Sequence, residues 1–261
     1  MGLWDAHTGY DRIYRKGKYV LQPAHNEAAI NAAISFIKDY DPDLVILGGD
    51  MVNCASISHH NRGRARYKEG MRLKEEMDLC AKLILDPIQQ IVRPRTKLVW
   101  HHGNHEKWVD DHVQEFPELE GLLSLAEYLK LEERGYEVKD YGEAYQIGGR
   151  NGKVWTMHGE NTKGANHAKS TVSEFHRNMR YGHHHTYQVA TEISPMDVKD
   201  FHTAISVPCL ANRNPGYAQN KPNRHIHGLL YGESLGSGAF QDSVIVMVDS
   251  KFILNGRVYE G

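Results

Sequence analysis

Cysteine is scarce in this chain. Cys54, Cys80 and Cys209 are the only three in 261 residues, an odd number without a C-x-x-C pair. That excludes a disulfide framework and a structural zinc knuckle, and leaves buried reduced thiols in a cytoplasmic protein. Long apolar runs are also missing. None approaches the ~20 residues of a membrane span, and the opening "MGLWDAHTGY" carries no secretory apolar core. Ala6 stands where a myristoylation signal needs Ser or Thr. No excess of one charge exists either: the formal net charge is −2, so nothing global marks a nucleic-acid binder. Internal repeats, low-complexity segments and linkers are absent, so one domain over residues 1–261 is the economical expectation. The unusual abundance is histidine, 17 residues with no tag-like run to account for them.

The chain reads as alternating helices and strands. Residues 26–40 put Ile30, Ala33, Ile34 and Ile37 on one helical stripe with Asn26 as N-cap, ending before Pro42. "DLVILGGD" follows, a continuous apolar run suited to a strand buried on both faces. A long helix is expected over roughly 69–92 with a kink or break at Pro87, then the strand "KLVW". Another amphipathic helix is expected over 118–134, closed by Gly135, then a hairpin turning at 148–152. A helix over 165–179 leads into "RYGHHHT". Beyond residue 186 the pattern is β-rich, and "SVIVMVDSKFILNGRVY" reads as a terminal hairpin. Helix and strand in alternation point to an α/β fold.

Five times an apolar or presumed strand ends in metal-loving side chains. They are Asp5-Ala6-His7, Gly49-Asp50, Gly103-Asn104-His105-Glu106, His158-Gly159 and Gly182-His183-His184-His185. In open α/β sheets, loops at the carboxyl ends of strands converge even when they are distant in sequence. Carboxylate and imidazole suit divalent Mn, Fe, Co or Zn, and the lack of thiolates argues against a structural zinc. There are enough donors for two ions, one carboxylate being able to bridge both. Two ions ~3.5–4 Å apart can clamp a phosphoryl displacement and acidify water. Taken singly, each piece has a plainer reading: an Asp-x-His means little, a Gly-Asp is more often a turn, and a lone histidine is more often satisfied in a core. His101 and His102 are left to that plainer reading, and His184, between two candidate ligands, should point away. The joint order of the five is what sets the plain readings aside.

The ordered set D-x-H, G-D-x-x-N, G-N-H-E, H-G and G-H-x-H resembles the calcineurin-like metallophosphoesterase superfamily, over residues 5–185 by motif, with 186–261 as a closing β layer. The resemblance implies a four-layer α/β/β/α sandwich of two mixed sheets flanked by helices. It implies that Asp5, His7, Asp50 and His185 hold one metal and Asp50, Asn104, His158 and His183 the other, with Asp50 bridging. His105 would not ligate; it would protonate the leaving oxygen or stabilise its charge. Glu106 and Asn53 would support the site from behind. Manganese leads among the metals, with Fe, Zn, Co or Ni as alternatives. Only Met1–Trp4 precede Asp5, where the family has a full strand. Either the start is trimmed or the strand is abbreviated, and in the second case the Asp5/His7 half would hold its metal more weakly.

The likeness is closest to compact members of the kind found in phage and bacterial genomes, often labelled DNA-repair exonuclease-like. It implies a phosphodiesterase using water activated by the metals, acting on DNA or RNA, with no membrane partner. A phosphomonoesterase acting on phosphoproteins or nucleotides is the alternative chemistry, and a metal-bound interaction scaffold the alternative outside chemistry. Retention of every ligand and of His105 counts against the scaffold. Two segments are candidates for holding substrate. Residues 59–74 carry Arg62, Arg64, Arg66, Lys68, Arg72 and Lys74 just after the second motif, unless that run is simply a solvated helix face. The polar stretch 210–228 offers Arg213, Arg224 and Tyr217, a potential stacking group, unless it is a plain surface loop.

Overall fold

The computed structural model describes residues 1–159, 161–218, 221–235 and 238–261, with the side chains of Arg150 and Tyr217 also left out. The chain opens with a two-residue strand, β1 (Gly2–Leu3), and a separate hairpin, β2 (Tyr10–Arg15) and β3 (Lys18–Pro23). The apolar run ending in Asp50 is β4 (Leu44–Leu47), and the run before the histidine cluster is β5 (Lys97–His101). After these come β6 (Tyr136–Lys139), β7 (Tyr145–Ile147), β8 (Val154–Thr156), β9 (Asn178–Tyr181), β10 (Gln188–Ile193) and β11 (Phe201–Ser206). The last strands are β12 (His227–Ser234), β13 (Phe240–Met247), β14 (Phe252–Leu254) and β15 (Arg257–Tyr259).

Two mixed sheets form the centre. One runs β13-β12-β1-β4-β5-β6, with β1, β4, β5 and β6 parallel and β12 and β13 antiparallel. The other runs β10-β11-β9-β8-β7, parallel through its middle three strands and antiparallel at both edges. Alternation along each strand divides its side chains between two interiors. Val45, Leu47, Leu98, Trp100 and Leu229 join a helix-lined core, while their neighbours Ile46, Val99 and Leu230 pack with Trp4, Ile205 and Val207 between the sheets. A third core sets Met179, Tyr181 and Ala204 against Val172. Three cores in series make four layers, helices outside and sheets inside.

The first core is covered by α1 (Glu27–Tyr40), where Asn26 caps the Ala29 N–H at 2.9 Å as expected. After a short α2 (Ala65–Lys68), the expected long helix is α3 (Leu73–Cys80), a π turn over Ala81–Leu85, and α4 (Asp86–Ile91). The π turn falls directly before Pro87, whose ring nitrogen has no hydrogen to donate, so the break is a slip in register. No helix among the described residues is long and apolar enough to cross a membrane.

The structure departs from the sequence expectations at several places. Residues after Gly103 form α5 (Asn104–Glu115), which the histidine motif concealed. The helix expected over 118–134 reduces to α6 (Leu125–Tyr128), because Gly121, Lys130 and Gly135 adopt φ of +75, +54 and +81. Leu122, inside the expected helix, is 80% exposed. The helix expected over 165–179 is α7 (His167–Phe175); His176 at φ +47 ends it, and strand β9 takes the residues that follow. At the C-terminus, only β14 and β15 form the closing hairpin, while β13 pairs with β12.

Hydrogen bonding carries the short first strand beyond Gly2–Leu3. The Gly48 N–H reaches Leu3 O at 2.7 Å, Asp5 N–H reaches Gly49 O at 3.0 Å, and His7 N–H reaches Asp50 O at 2.8 Å. Residues 1–8 therefore track β4 and its following loop side by side. Trp4, fully buried between the sheets, adds a bond from its indole N–H to Met157 O at 3.0 Å. That anchor links the first sheet to the strand leading to His158.

Candidate metal centre

All five motif loops leave the carboxyl ends of strands: β1, β4 and β5 in one sheet, β8 and β9 in the other. The loops turn at once, and the backbone records it. Asp5, His7, Asp50, His183 and His185 all have positive φ, between +50 and +66. Non-glycine residues rarely adopt that region, and such strain gathers where a site requires it. A Cβ on Gly103 would sit 2.2 Å from Asp50 Oδ1, so a glycine is needed for the third loop to close on the second.

The side chains converge. His7 Nε2 lies 3.1 Å from His185 Nε2, and His185 Nε2 lies 3.4 Å from Asp5 Oδ1. His158 Nε2 is 3.3 Å from Asp50 Oδ2, and Asn104 Oδ1 is 3.1 Å from His158 Nε2 and 3.0 Å from His183 Nδ1. Three trios have donor atoms within 4.8 Å of one another: Asp5/His7/His185, His7/Asp50/His105 and Asp50/His158/His183. These donors fit a divalent transition metal. Each trio is imidazole and carboxylate without thiolate, and the buried Asp5 Oδ1 has no hydrogen-bond partner in the protein. Asp50 belongs to two trios, its Oδ2 lying 3.7 Å from His7 Nε2 and 3.3 Å from His158 Nε2.

Charges inside the cluster oppose burial. Burial would strip His158 of its proton, but Asp50 outweighs it and lifts the imidazole to about 9. For His183 burial prevails, helped by His158, and the group falls to about 3. Burial and then the neighbouring His105 hold His7 well below the ordinary histidine range.

His105 and Glu106 sit at the start of α5 and point in different directions. The His105 Nδ1–H donates to Asn53 O at 2.5 Å, which leaves Nε2 toward Asp50 Oδ2, 3.8 Å away. The Trp108 ring packs on the imidazole with centroids 3.9 Å apart. Glu106 is fully buried; its Oε2 accepts the N–H groups of Asp50 and Gly103, and its Oε1 those of Met51 and Val52. One carboxylate thus caps its own helix and fixes the loop carrying Asp50. Burial and then the Asp50 charge push it up to about 7, against those four amides. Asn53 donates to Tyr10 O at 3.0 Å.

The other histidines turn elsewhere. His184 stacks on His167 with centroids 3.8 Å apart and faces Thr162 O at 2.9 Å. His101 pairs with Thr156 at 2.9 Å, and the buried His102 takes no place in the three trios. The cysteines are free and buried.

A cavity of about 1060 Å³ opens over His7, Asp50 and His105 and extends to Arg64 and Arg66. Arg62 does not line it; its guanidinium pairs with Glu115 at 2.5 Å. Arg213 is exposed and donates to His225 O at 3.0 Å, and Arg224 is exposed; neither lines the cavity. The Tyr217 side chain lies outside the described residues. Sequence reading missed the part of the wall beside Arg66, which is the β2–β3 hairpin with Arg12, Tyr14 and Tyr19. Two tyrosines flanking a Lys16-Gly17 turn were the available signal. It missed Trp108 as well, which the i+3 spacing from His105 puts on the same helix face.

Residues 5–207 match the sequence model of the family described as calcineurin-like phosphoesterase. The Gene 54 protein of Mycobacterium phage L5 is 27% identical over 127 residues, which are 48% of this chain and 49% of that protein. The chain therefore spans about half the length of the curated relative it matches.

Proposed function

Because this chain belongs to the calcineurin-like phosphoesterase family, we propose that it is a metal-dependent phosphodiesterase with nucleic acid as its leading substrate. The observation that carries the reading is the convergence on Asp50 of imidazoles from the four other motif loops, His7, His105, His158 and His183. Asp5, His7, Asp50 and His185 would hold one divalent ion, and Asp50, Asn104, His158 and His183 the other, with manganese the leading candidate. When bound, such a pair neutralises charge on the phosphate oxygens and acidifies the attacking water.

The protein's own residues account for the rest. Asp50 is held in place by Glu106 and takes the His105 N–H at 2.9 Å on Oδ1, leaving Oδ2 toward His7 and His158. His105 serves as general acid. Its Nδ1–H is committed to Asn53 O, so Nε2 delivers the proton to the departing ester oxygen. Trp108 limits rotation of that imidazole and keeps water from one of its faces. Arg64 and Arg66, which line the same cavity, meet the phosphates beyond the scissile one. Three buried free thiols support a reducing, cytoplasmic setting.

The test is a substrate panel on the purified protein with added Mn²⁺: p-nitrophenyl phosphate, bis-p-nitrophenyl phosphate, cyclic nucleotides, and single- and double-stranded DNA. Faster cleavage of diesters, with DNA among the substrates, is the expected result. Preference for p-nitrophenyl phosphate with no action on oligonucleotides would replace this reading by a phosphomonoesterase. No hydrolysis under any metal would leave an interaction scaffold.

A further inference from the structure

The β2–β3 hairpin belongs to neither large sheet. A lone two-stranded hairpin is marginal in water, and this one is tied down along its length. Arg12 Nη1 donates to Glu69 O at 2.6 Å and to Glu69 Oε2 at 3.0 Å, and Gln22 Nε2 donates to Asn214 O at 2.9 Å. Asp11 Oδ2 accepts the Gly216 N–H at 2.7 Å, which engages the one buried carboxylate on this wall.

The hairpin presents an aromatic pair. Tyr14 and Tyr19 are directly opposed across the strands, edge-on, with ring centroids 5.1 Å apart. The Arg66 guanidinium covers Tyr19, 4.8 Å from its centroid. Tyr14 remains 58% exposed, yet it lines the same cavity as His7, Asp50 and His105. Its ring adds little to the folded core, so its position is not explained by packing. Among the described residues, neither Arg64 nor Arg66 has a carboxylate within ion-pair distance, unlike Arg12 and Arg62.

We infer that this hairpin is a base-stacking subsite for single-stranded nucleic acid: Tyr14 receives an unpaired base, and Arg64 and Arg66 take the adjoining phosphate. The inference rests on the diesterase reading for the scissile phosphate, which would lie at the metal ligands. Tyr19, clamped by Arg66, buttresses Tyr14 from the side. An exposed ring beside unpaired guanidinium groups is the combination that binds single strands without regard to sequence, because every base has a π-face. A base inside a duplex has both faces covered, so an unpaired strand is favoured.

The test reads binding without turnover. Fluorescence anisotropy is measured with a labelled phosphorothioate oligothymidine, and with an abasic strand of equal length and charge, in the presence of Mn²⁺. Tyr14→Ala should raise the Kd for oligothymidine by roughly 5- to 100-fold. Tyr14→Phe, which keeps the ring, should bind as the wild type does. The abasic strand should bind the wild type more weakly than oligothymidine, and Tyr14→Ala should no longer distinguish the two strands. Equal binding of both strands by the wild type, unaltered binding by Tyr14→Ala, or no binding of either strand would overturn the subsite. Wild-type hydrolysis of bis-p-nitrophenyl phosphate is measured alongside. Its absence would sink the diesterase reading, whereas its presence with unaltered Tyr14→Ala binding would sink the hairpin alone.

Discussion

Glu106 accepts the backbone N–H of Asp50 at 2.8 Å, across 56 residues of sequence, while the same carboxylate holds the amides of Gly103, Met51 and Val52. The carboxylate that supports the candidate bridging residue is therefore also a folding element. Glu106→Ala would leave four buried N–H groups without an acceptor. It should cost about 3–5 kcal/mol in urea unfolding, since each orphaned amide costs about 1–3 kcal/mol and water recovers part of it. A loss below about 1 kcal/mol would mean that these bonds contribute nothing net.

Asp50 takes part in two of the three donor trios. Asp50→Asn keeps the shape and removes the charge, so both ions should lose much of their affinity. His185→Ala should weaken mainly one. Elemental analysis after dialysis against Mn²⁺ reads the difference, and two full equivalents in Asp50→Asn would defeat the bridging assignment.

His105 adjoins Asn104 but is held by Asn53 O and Trp108. His105→Ala should therefore keep its metal content and lose turnover by the ~10²–10⁴-fold typical of a general acid. His105 also falls in one trio with His7 and Asp50. Loss of an equivalent of metal in the variant would make it a ligand instead.

Glu76 is fully buried, and neither side-chain oxygen completes a hydrogen bond. Burial pushes it up to about 8 from the ordinary 4.5, against the pull of the Tyr10 and Cys54 backbone amides toward the charged form. A carboxyl raised on folding stabilises the fold at low pH. Its contribution is complete below 4.5 and declines as pH rises toward 8, by about 1.4 kcal/mol per unit at most, then levels off. Glu76→Gln should accordingly exceed the wild type in stability at pH 9, by an amount on the order of 2–5 kcal/mol, and match it near pH 4.5. Parallel denaturation curves for the two proteins at both pH values would refute this.

The arginines after the second motif should not act alike. Arg64 and Arg66 border the cavity, and Arg62 is engaged by Glu115. Arg64→Glu with Arg66→Glu should raise KM for an oligonucleotide and flatten its salt dependence, by about 0.7 in log–log slope for each phosphate no longer neutralised. Arg62→Ala should change that slope little. An equal effect from Arg62→Ala would assign the segment a diffuse charge rather than two specific phosphate-binding groups.

Much of the candidate site was legible in the sequence. Carboxylates, amides and imidazoles follow apolar strands, and in open α/β sheets the loops at the carboxyl ends of strands converge from distant parts of the chain. The helix capped by Asn26 and the strand ending in Gly49-Asp50 followed from spacing alone. What hid α5 was its composition: Asn104-His105-Glu106-Lys107 has no apolar stripe, and its start is set by Glu106 reaching back to Gly103 N–H. The helix expected over 118–134 failed for the opposite reason. Its leucines recur at helical spacing, but glycine and Lys130 in left-handed conformations bend the backbone through turns that burial of Leu125, Leu129 and Leu131 rewards.

By itself, then, the sequence determined which donor atoms exist, their order along the chain, and their place at strand ends, since those are properties of residue type and local period. Only the tertiary structure decided which of them face one another. His7 and His185 are 178 residues apart and meet at 3.1 Å because β1 and β9 lie in two sheets pressed face to face around Trp4. It also decided that Arg64 and Arg66 reach the cavity and Arg62 does not, and that Tyr14 and Tyr19 join them in its lining, Arg66 over the Tyr19 ring. Those outcomes depend on how separate elements pack, and packing is a property of pairs of surfaces that no single stretch of chain contains.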